Sequence, residues 1–582
     1  MPHSQLETPL EQTACAASGR REELENAELL FGSGLLDEAR NSALAAMEEF
    51  PLPASLMLGR IALRSQNFVE ADYYFRRALE CENAATTRLF LVAALTGARR
   101  PQEALSELGV AIRELPETAR MMFQVGGLYE ALEQFEDAEA FYERSLKKQP
   151  APRVQHRLGT VLLMQNRVAD SIAVFESLCR AEPGNIDYRI DLGTAYARSG
   201  NFENALSCAL EAIRARPEDV MALNNAGYAL QCLNRSQEAL QFYDRAVVVD
   251  PDYAPARFGR AVALLKNGAF ATGWAEYDWR WLHGQSMRTD LKVPFWHGED
   301  LTGKTILLHS EQGFGDTLQF IRLAQDVARL GARVLAHVPP ALVRLMENVE
   351  GLAGVYAAWD GSVPIDYHCP LLSAPARIGL IPANLPAAPY LSVCPEMQKE
   401  TGEKLRHTVA GKGDKPDLIV GLVWAGDPRP HDKAAAQTDG RRSMTLADFA
   451  LLGRVEGVRF VSFQFGVARG QISTAPFPIT DAMDGVTDFL DTAALLSGID
   501  LLISVDTSIV HLAGGLGVPV WMLSRADGCW RWGENVSTTP WYPQTRIIRQ
   551  EKAHDWAPVI AEAAGLLGQV VEIYRKTLAG AA

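Results

Sequence analysis

The sequence has no CxxC pair and no cysteine–histidine spacing that would hold zinc. Its eight cysteines are scattered and read as small buried apolar residues in a reducing compartment. The first twenty residues, MPHSQLETPLEQTACAASGR, hold no apolar core of the kind a secretory leader needs. No uninterrupted apolar run reads as long enough to span a bilayer. Basic residues are outnumbered, 56 Lys and Arg against 71 Asp and Glu, for a net charge of −15. That argues against a nucleic-acid binder, which carries a basic face. These absences lead us to expect a cytoplasmic protein with neither a membrane nor a nucleic-acid partner.

What is present is a chain of 582 residues, too long for one hydrophobic core. Its first half repeats. Pro51, Pro116, Pro150, Pro183, Pro217 and Pro251 follow the ends of helical segments, the last five spaced by 34, 33, 34 and 34 residues. Small and aromatic residues keep step with them. One repeat carries Gly227, Ala239, Tyr243, Ala246 and Pro251, the one before it Gly193, Tyr196, Ala205, Ala212 and Pro217. An earlier one carries Gly126, Tyr129, Ala138, Tyr142 and Pro150. A small residue at a helix crossing, an aromatic plug and a proline at the next turn make the tetratricopeptide pattern. About eight such repeats are expected over residues 20–284, after an unstructured stretch at 1–19, and their groove is suited to a protein partner. The aromatics of FATGWAEYDWRWLHG are expected to seal the last repeat against the next domain, with 285–303 as a linker or docking segment.

From Lys304 the period changes. Short apolar strands alternate with helices: TILLHS, RVLAHV, GVYAAW and IDYHCP, then DLIVGLVWAG, VRFVSFQFG, DLLISVD, PVWMLS and TRIIRQ. This alternation predicts two doubly wound parallel halves, at 304–396 and 397–582, with a ligand cleft at their strand ends. A last helix around Trp556–Leu578 is long enough to cross both halves.

Three segments carry candidate chemistry. SEQGFGDT places Asp316 just past Gly313 and Gly315, where a helix cap and a cleft-facing carboxylate are competing readings. In SVDTSIVHLAGGLGVP the run Asp506, Thr507, Ser508 opens a helix at a strand end, a ready phosphate site, and Gly514, Gly515 and Gly517 close it. His511 lies one turn in, and capping of the helix by Asp506 with His511 merely packed in the core is the competing reading. The third, Trp424–Leu446, reads as a long polar loop ending in Arg441 and Arg442, suited to holding phosphate or to simple solvation.

Residues 304 to about 570 resemble the GT-B glycosyltransferases, in particular their heptosyltransferase-like branch, through GFGDT and VDTSIVHLAGGLGVPVWML. The resemblance implies Asp316 and His511 as catalytic residues, with Asp316 the base. It implies Gly313, Gly315, Arg442, Asp506, Thr507 and Ser508 as donor-binding, with Asp506, Thr507 and His511 falling on the nucleotide-phosphate site. Inverting transfer needs a base for the acceptor hydroxyl and positive potential at the leaving phosphate. The helix start, Arg442 and His511 are expected to supply that potential. The only DxD is Asp250–Pro251–Asp252 in a repeat turn, so neither metal nor other cofactor is expected.

Repeats fused ahead of a GT-B unit resemble protein O-glycosyltransferases. The asparagine ladder of the O-GlcNAc transferases is absent, its positions holding Gln124, Arg157, Asp191 and Asn225. The whole layout, with EQGFGD, SVDTSIVHLAG and the WRW…PWYP segment, is similar to bacterial flagellin glycosyltransferases. That likeness implies transfer of a nonulosonic acid such as pseudaminic acid from a CMP-sugar to Ser or Thr of flagellin, in the service of flagellum assembly and motility. An ADP-heptose or UDP-GlcNAc donor and a non-catalytic repeat scaffold are the alternatives. Trp532 is read either as a wall of the donor pocket or as core.

Overall fold

The computed structural model describes residues 20–283, 291–386, 388–409, 417–429 and 433–581. The expected unstructured stretch 1–19, and 285–290 of the expected linker, lie outside them. The fold is a tetratricopeptide array of helix pairs followed by two parallel α/β halves. The chain separates into two compact units, at 1–199 and 200–582.

The first unit holds eleven helices among its described residues, from Arg20–Gly32 to Ile186–Ser199. The sequence period has a direct steric cause. A Cβ on Gly126 would lie 2.6 Å from the Tyr142 ring, and one on Gly159 would lie 2.9 Å from Phe175. Gly59, Gly126 and Gly159 of first helices therefore each admit the aromatic sixteen positions later in the second. The turn between paired helices needs a left-handed residue, which recurs at Gly34, Gln66, Arg99, Glu133 and Asn166. Two of the absent-ladder positions hold polar side chains with polar partners: Arg157 bonds Glu130, and Asp191 lies 2.5 Å from His156 Nε2.

The second unit begins with five helices, Phe202–Ala215, Val220–Cys232, Ser236–Val249, Ala254–Lys266 and Phe270–Tyr277. Gly227 and Tyr243 repeat the glycine–aromatic contact, and Asn234 and Gly268 repeat the left-handed turn. The first half then forms a parallel sheet of β1 (Thr305–His309), β2 (Arg333–His337), β3 (Leu352–Tyr356) and β4 (Tyr367–Pro370), in the order β3-β2-β1-β4. The second half holds β5 (Leu418–Val423), β6 (Val458–Ser462), β7 (Ile479–Asp481), β8 (Leu501–Val505), β9 (Val520–Ser524) and β10 (Thr545–Arg549). Its order is β10-β9-β8-β5-β6-β7. Strands β5, β8 and β9 are buried at every position, as parallel strands covered on both faces must be.

Several expectations are corrected here. Residues 285–303 are not a free linker over their described part. Trp296 is buried, its N–H donates to the His368 carbonyl at 2.9 Å, and Phe295 bridges the β4 edge. The chain does not divide between the repeats and the α/β halves either. One core runs from Leu265, Phe270, Trp274 and Tyr277 of the last helix pair through Phe320 to Trp530 and Trp541 of the second half. The aromatic seal is therefore an internal core, with Trp274 5.3 Å from Trp530 and 5.8 Å from Phe320. The final helix, Ala557–Ala581, packs on the second half over its described side chains. Its Val559, Ile560, Ala563, Leu567 and Val571 join the outer core of the second half alone. Among the described residues it also holds the one helical segment, Ala557–Lys576, long and apolar enough by composition to cross a membrane.

Candidate active site

In each half the chain leaves a central strand, builds outward on one side and returns to the other. This places a topological switch point between β1 and β4, and another between β5 and β8. Ligands of open parallel sheets sit outside the strand ends at such points. The candidate residues fall on both: Asp316 follows β1, Arg442 follows β5, and Asp506, Thr507 and Ser508 follow β8.

After β1 a short loop leads to the helix Phe314–Phe320, with Gly313 as its N-cap. Gly315 thus lies in the helix rather than in the loop, and Asp316 is its third residue. Asp316 Oδ2 accepts the Gly313 N–H at 3.1 Å, a capping contact. Its Oδ1 accepts from Arg531 Nη2, from the turn after β9 in the other half. Both competing readings of Asp316 are thereby combined, since the carboxylate caps its helix and also faces the second half. Its side chain keeps 21% of its exposure.

After β8, Thr507 is the N-cap of the helix Ser508–Leu516, and its side chain makes no capping bond. Asp506 does not cap it, contrary to one reading of the sequence. The Asp506 carbonyl accepts from Arg442 Nη1 at 2.9 Å, and Arg442 Nε pairs with Asp439 at 2.9 Å. Arg442 itself ends a helix, Lys433–Arg442, so the segment read as one long loop is partly helical. Only Gly517 ends the Ser508 helix, in the left-handed conformation. Gly514 and Gly515 lie within it because a Cβ there would fall 2.5 Å from Tyr542 or 2.7 Å from Leu391.

His511 is buried between the halves. Its Nδ1 is 2.9 Å from the Tyr542 hydroxyl, its ring stacks on Trp532, and a Cβ on Gly315 would lie 2.8 Å from it. Burial, then the Arg531 and Arg322 guanidiniums, hold its pKa well below the ordinary histidine value. Trp532 packs in the same core.

Sequence reasoning missed three groups. Arg531 is one, and WRWGE, an arginine between two tryptophans, was the available signal. A second is Arg429, whose Nη2 lies 3.9 Å from where a Gly313 Cβ would be and brings a cation from the second half to the first glycine loop. The third is Arg280 of the last repeat. It is fully buried and pairs at 2.6 Å with Glu311, in the loop just before Asp316. Burial raises the Glu311 pKa, with Arg280 opposing it.

Buried histidines give the chain an acid sensitivity. Burial and then the neighbouring His368, 3.1 Å away, lower the His309 pKa to about 4. The unfolded chain, titrating near 6.5, then binds more protons than the native one, so stability falls as pH drops from 6.5 towards 4. His309 contributes about 3 kcal/mol of that loss, and His511 acts in the same direction. In denaturant melts at pH 7 and 4.5, His309→Asn should flatten the pH dependence. An unchanged slope would contradict the assignment.

Residues 24–86, 94–151, 126–186 and 190–254 match the tetratricopeptide repeat model. Protein FlbA of Caulobacter vibrioides is 26% identical over 443 residues, covering 71% of this chain and 72% of that one. A span of 71% of the chain cannot fit within the repeats, so that likeness extends into the α/β halves. A probable UDP-N-acetylglucosamine–peptide N-acetylglucosaminyltransferase SPINDLY of Arabidopsis thaliana is 29% identical over 106 residues, 18% of this chain and 12% of that one. A solved glycosyl transferase family 9 structure from Veillonella parvula aligns with a TM-score of 0.34 at 13% identity, covering 44% of this chain and 88% of that one.

Proposed function

We propose that the protein is a glycosyltransferase of the GT-B kind that acts on a protein acceptor held by its repeats. The acceptor is flagellin, and the donor is a CMP-activated nonulosonic acid such as pseudaminic acid. The observation that carries this reading is the placing of Asp316 and the helix start at Thr507 on switch points of facing halves. Support for the protein acceptor comes from the repeats and from the FlbA likeness that runs through both parts of the chain.

In the reaction, Asp316 takes the proton of an acceptor Ser or Thr hydroxyl. The oxygen bonds to the anomeric carbon as the bond from that carbon to the phosphate oxygen breaks. The leaving nucleotide phosphate gathers negative charge, which meets the free N–H groups at Ser508 and Ile509 and the guanidinium of Arg442. Gly313 leaves room for the donor at the mouth of the cleft, and Gly315 leaves room for the His511 ring. His511, held by Tyr542, sets the approach of the Ser508 helix to the Asp316 helix. No metal is required where backbone N–H groups and arginine meet the charge.

Intact-mass analysis of flagellin from cells with and without the protein tests the reading. Flagellin should be heavier by whole nonulosonic acid residues only when the protein is present. Equal masses in both would reject it.

A further inference from the structure

We propose that Arg531 is a positioning residue for Asp316 and that the last two helix pairs hold it there through Glu534. This rests on the reading of Asp316 as the base. Arg531 uses its whole fork. Nη2 meets Asp316, Nε donates to Gln319 Oε1 at 2.6 Å, Nη1 lies 3.2 Å from Cys529 Sγ, and the guanidinium stacks 4.4 Å over Trp530. Asp316 and Gln319 lie on one helix, so Arg531 fixes both the place and the rotation of the carboxylate.

The loop that carries Arg531 is tied down from the repeat side. Glu534 accepts the Ser236 N–H at 3.2 Å and the Ser236 hydroxyl, and lies 3.5 Å from Lys266 Nζ. Lys266, almost fully buried, donates to Asn234 Oδ1 at 2.9 Å, and Asn234 Nδ2 donates to the Ala526 carbonyl at 2.6 Å. Both flanks of the Arg531 turn are thus bonded to one repeat turn, Asn234–Ser236. Arg549 holds the Trp532 and Gly533 carbonyls at 2.9 and 3.1 Å from the sheet side. The Trp530 ring packs on Trp274 and Tyr277. Arg280, from the same repeats, grips Glu311 on the other side of Asp316. A core that only needed filling would not bring two ion pairs from the repeats to bear on the two segments that place one carboxylate.

The test uses the full chain with Arg531→Lys and Glu534→Gln. Lysine keeps the charge but replaces a planar fork with a single nitrogen. Arg531→Lys should lower kcat for transfer on the order of 10²-fold, the cost of a small misplacement of reacting groups. KM for the CMP-activated nonulosonic acid should stay within about threefold, since ground-state binding is untouched. Glu534→Gln should lower kcat on the order of 10-fold by the same route. It should also speed hydrogen exchange in residues 311–319 as well as in 525–541. A kcat for Arg531→Lys within about twofold of wild type overturns the proposal, as does faster exchange confined to 525–541. Absence of CMP binding to the wild-type chain in calorimetry would instead reject the proposed function, and the exchange result would still decide the tether.

Discussion

Asp316→Asn should leave a chain that binds nucleotide and flagellin but scarcely transfers sugar. Removing a general base costs roughly two to four orders of magnitude in rate. Asparagine keeps an oxygen for the Gly313 N–H, so the cap survives. It loses the negative charge that Arg531 faces, and Arg531 is left nearly buried without its counter-ion. Breaking such a pair typically costs about 3 kcal/mol, so the melting temperature should fall too. The sequence alone suggests otherwise, because a capping aspartate is replaceable by asparagine at little cost. Transfer must therefore be assayed well below the melt of the variant, by the mass shift of flagellin, with CMP binding as the check on folding. Near-normal transfer by a destabilised Asp316→Asn would reduce Asp316 to a structural ion pair.

A fragment of residues 291–582 should not fold, whereas 200–582 should melt cooperatively. The first cut removes Phe270, Trp274 and Tyr277 from the core they share with Phe320, Trp530 and Trp541. Truncating a buried aromatic costs about 3–5 kcal/mol, and a domain holds only about 5–15 kcal/mol in all. The cut also strips Arg280 from Glu311 and Lys266 from Glu534, leaving two carboxylates in low dielectric without their cations. Calorimetric melts of the two fragments give the answer. A cooperative melt of 291–582 close to that of the whole chain would show that the repeats are not needed for the α/β halves to fold.

The repeats were legible because their pattern is local: glycine and aromatic sit sixteen residues apart, and the steric reason acts within one helix pair. The strands were legible for a similar reason, as buried parallel strands are short, apolar and β-branched. Strand β7, Ile479–Asp481, escaped because three residues beside prolines carry no period. The helix Lys433–Arg442 escaped because the Gly, Pro and Asp around it read as loop. In the candidate site, Asp316 and Thr507 could be placed from glycine loops and strand ends. Their partners could not. Arg531 lies 215 residues from Asp316 and Arg280 lies 31 from Glu311, and only the tertiary fold brings them together. The two readings of His511 stayed open because nothing near it in sequence shows that Tyr542 and Trp532 enclose it.

Trp274, Trp530, Trp532 and Trp541 are all buried and gather where the last helix pair meets both halves. The Trp530 indole lies against the Arg531 guanidinium and the Trp532 indole stacks on the His511 ring. Indole emission responds to nearby charge and to water. The protein therefore carries its own optical reporter at the point where the halves meet. Any opening of the cleft that admits water to this cluster would shift its emission to longer wavelength, with no dye attached. Titrating a nucleotide into the native chain while recording that emission follows the halves directly.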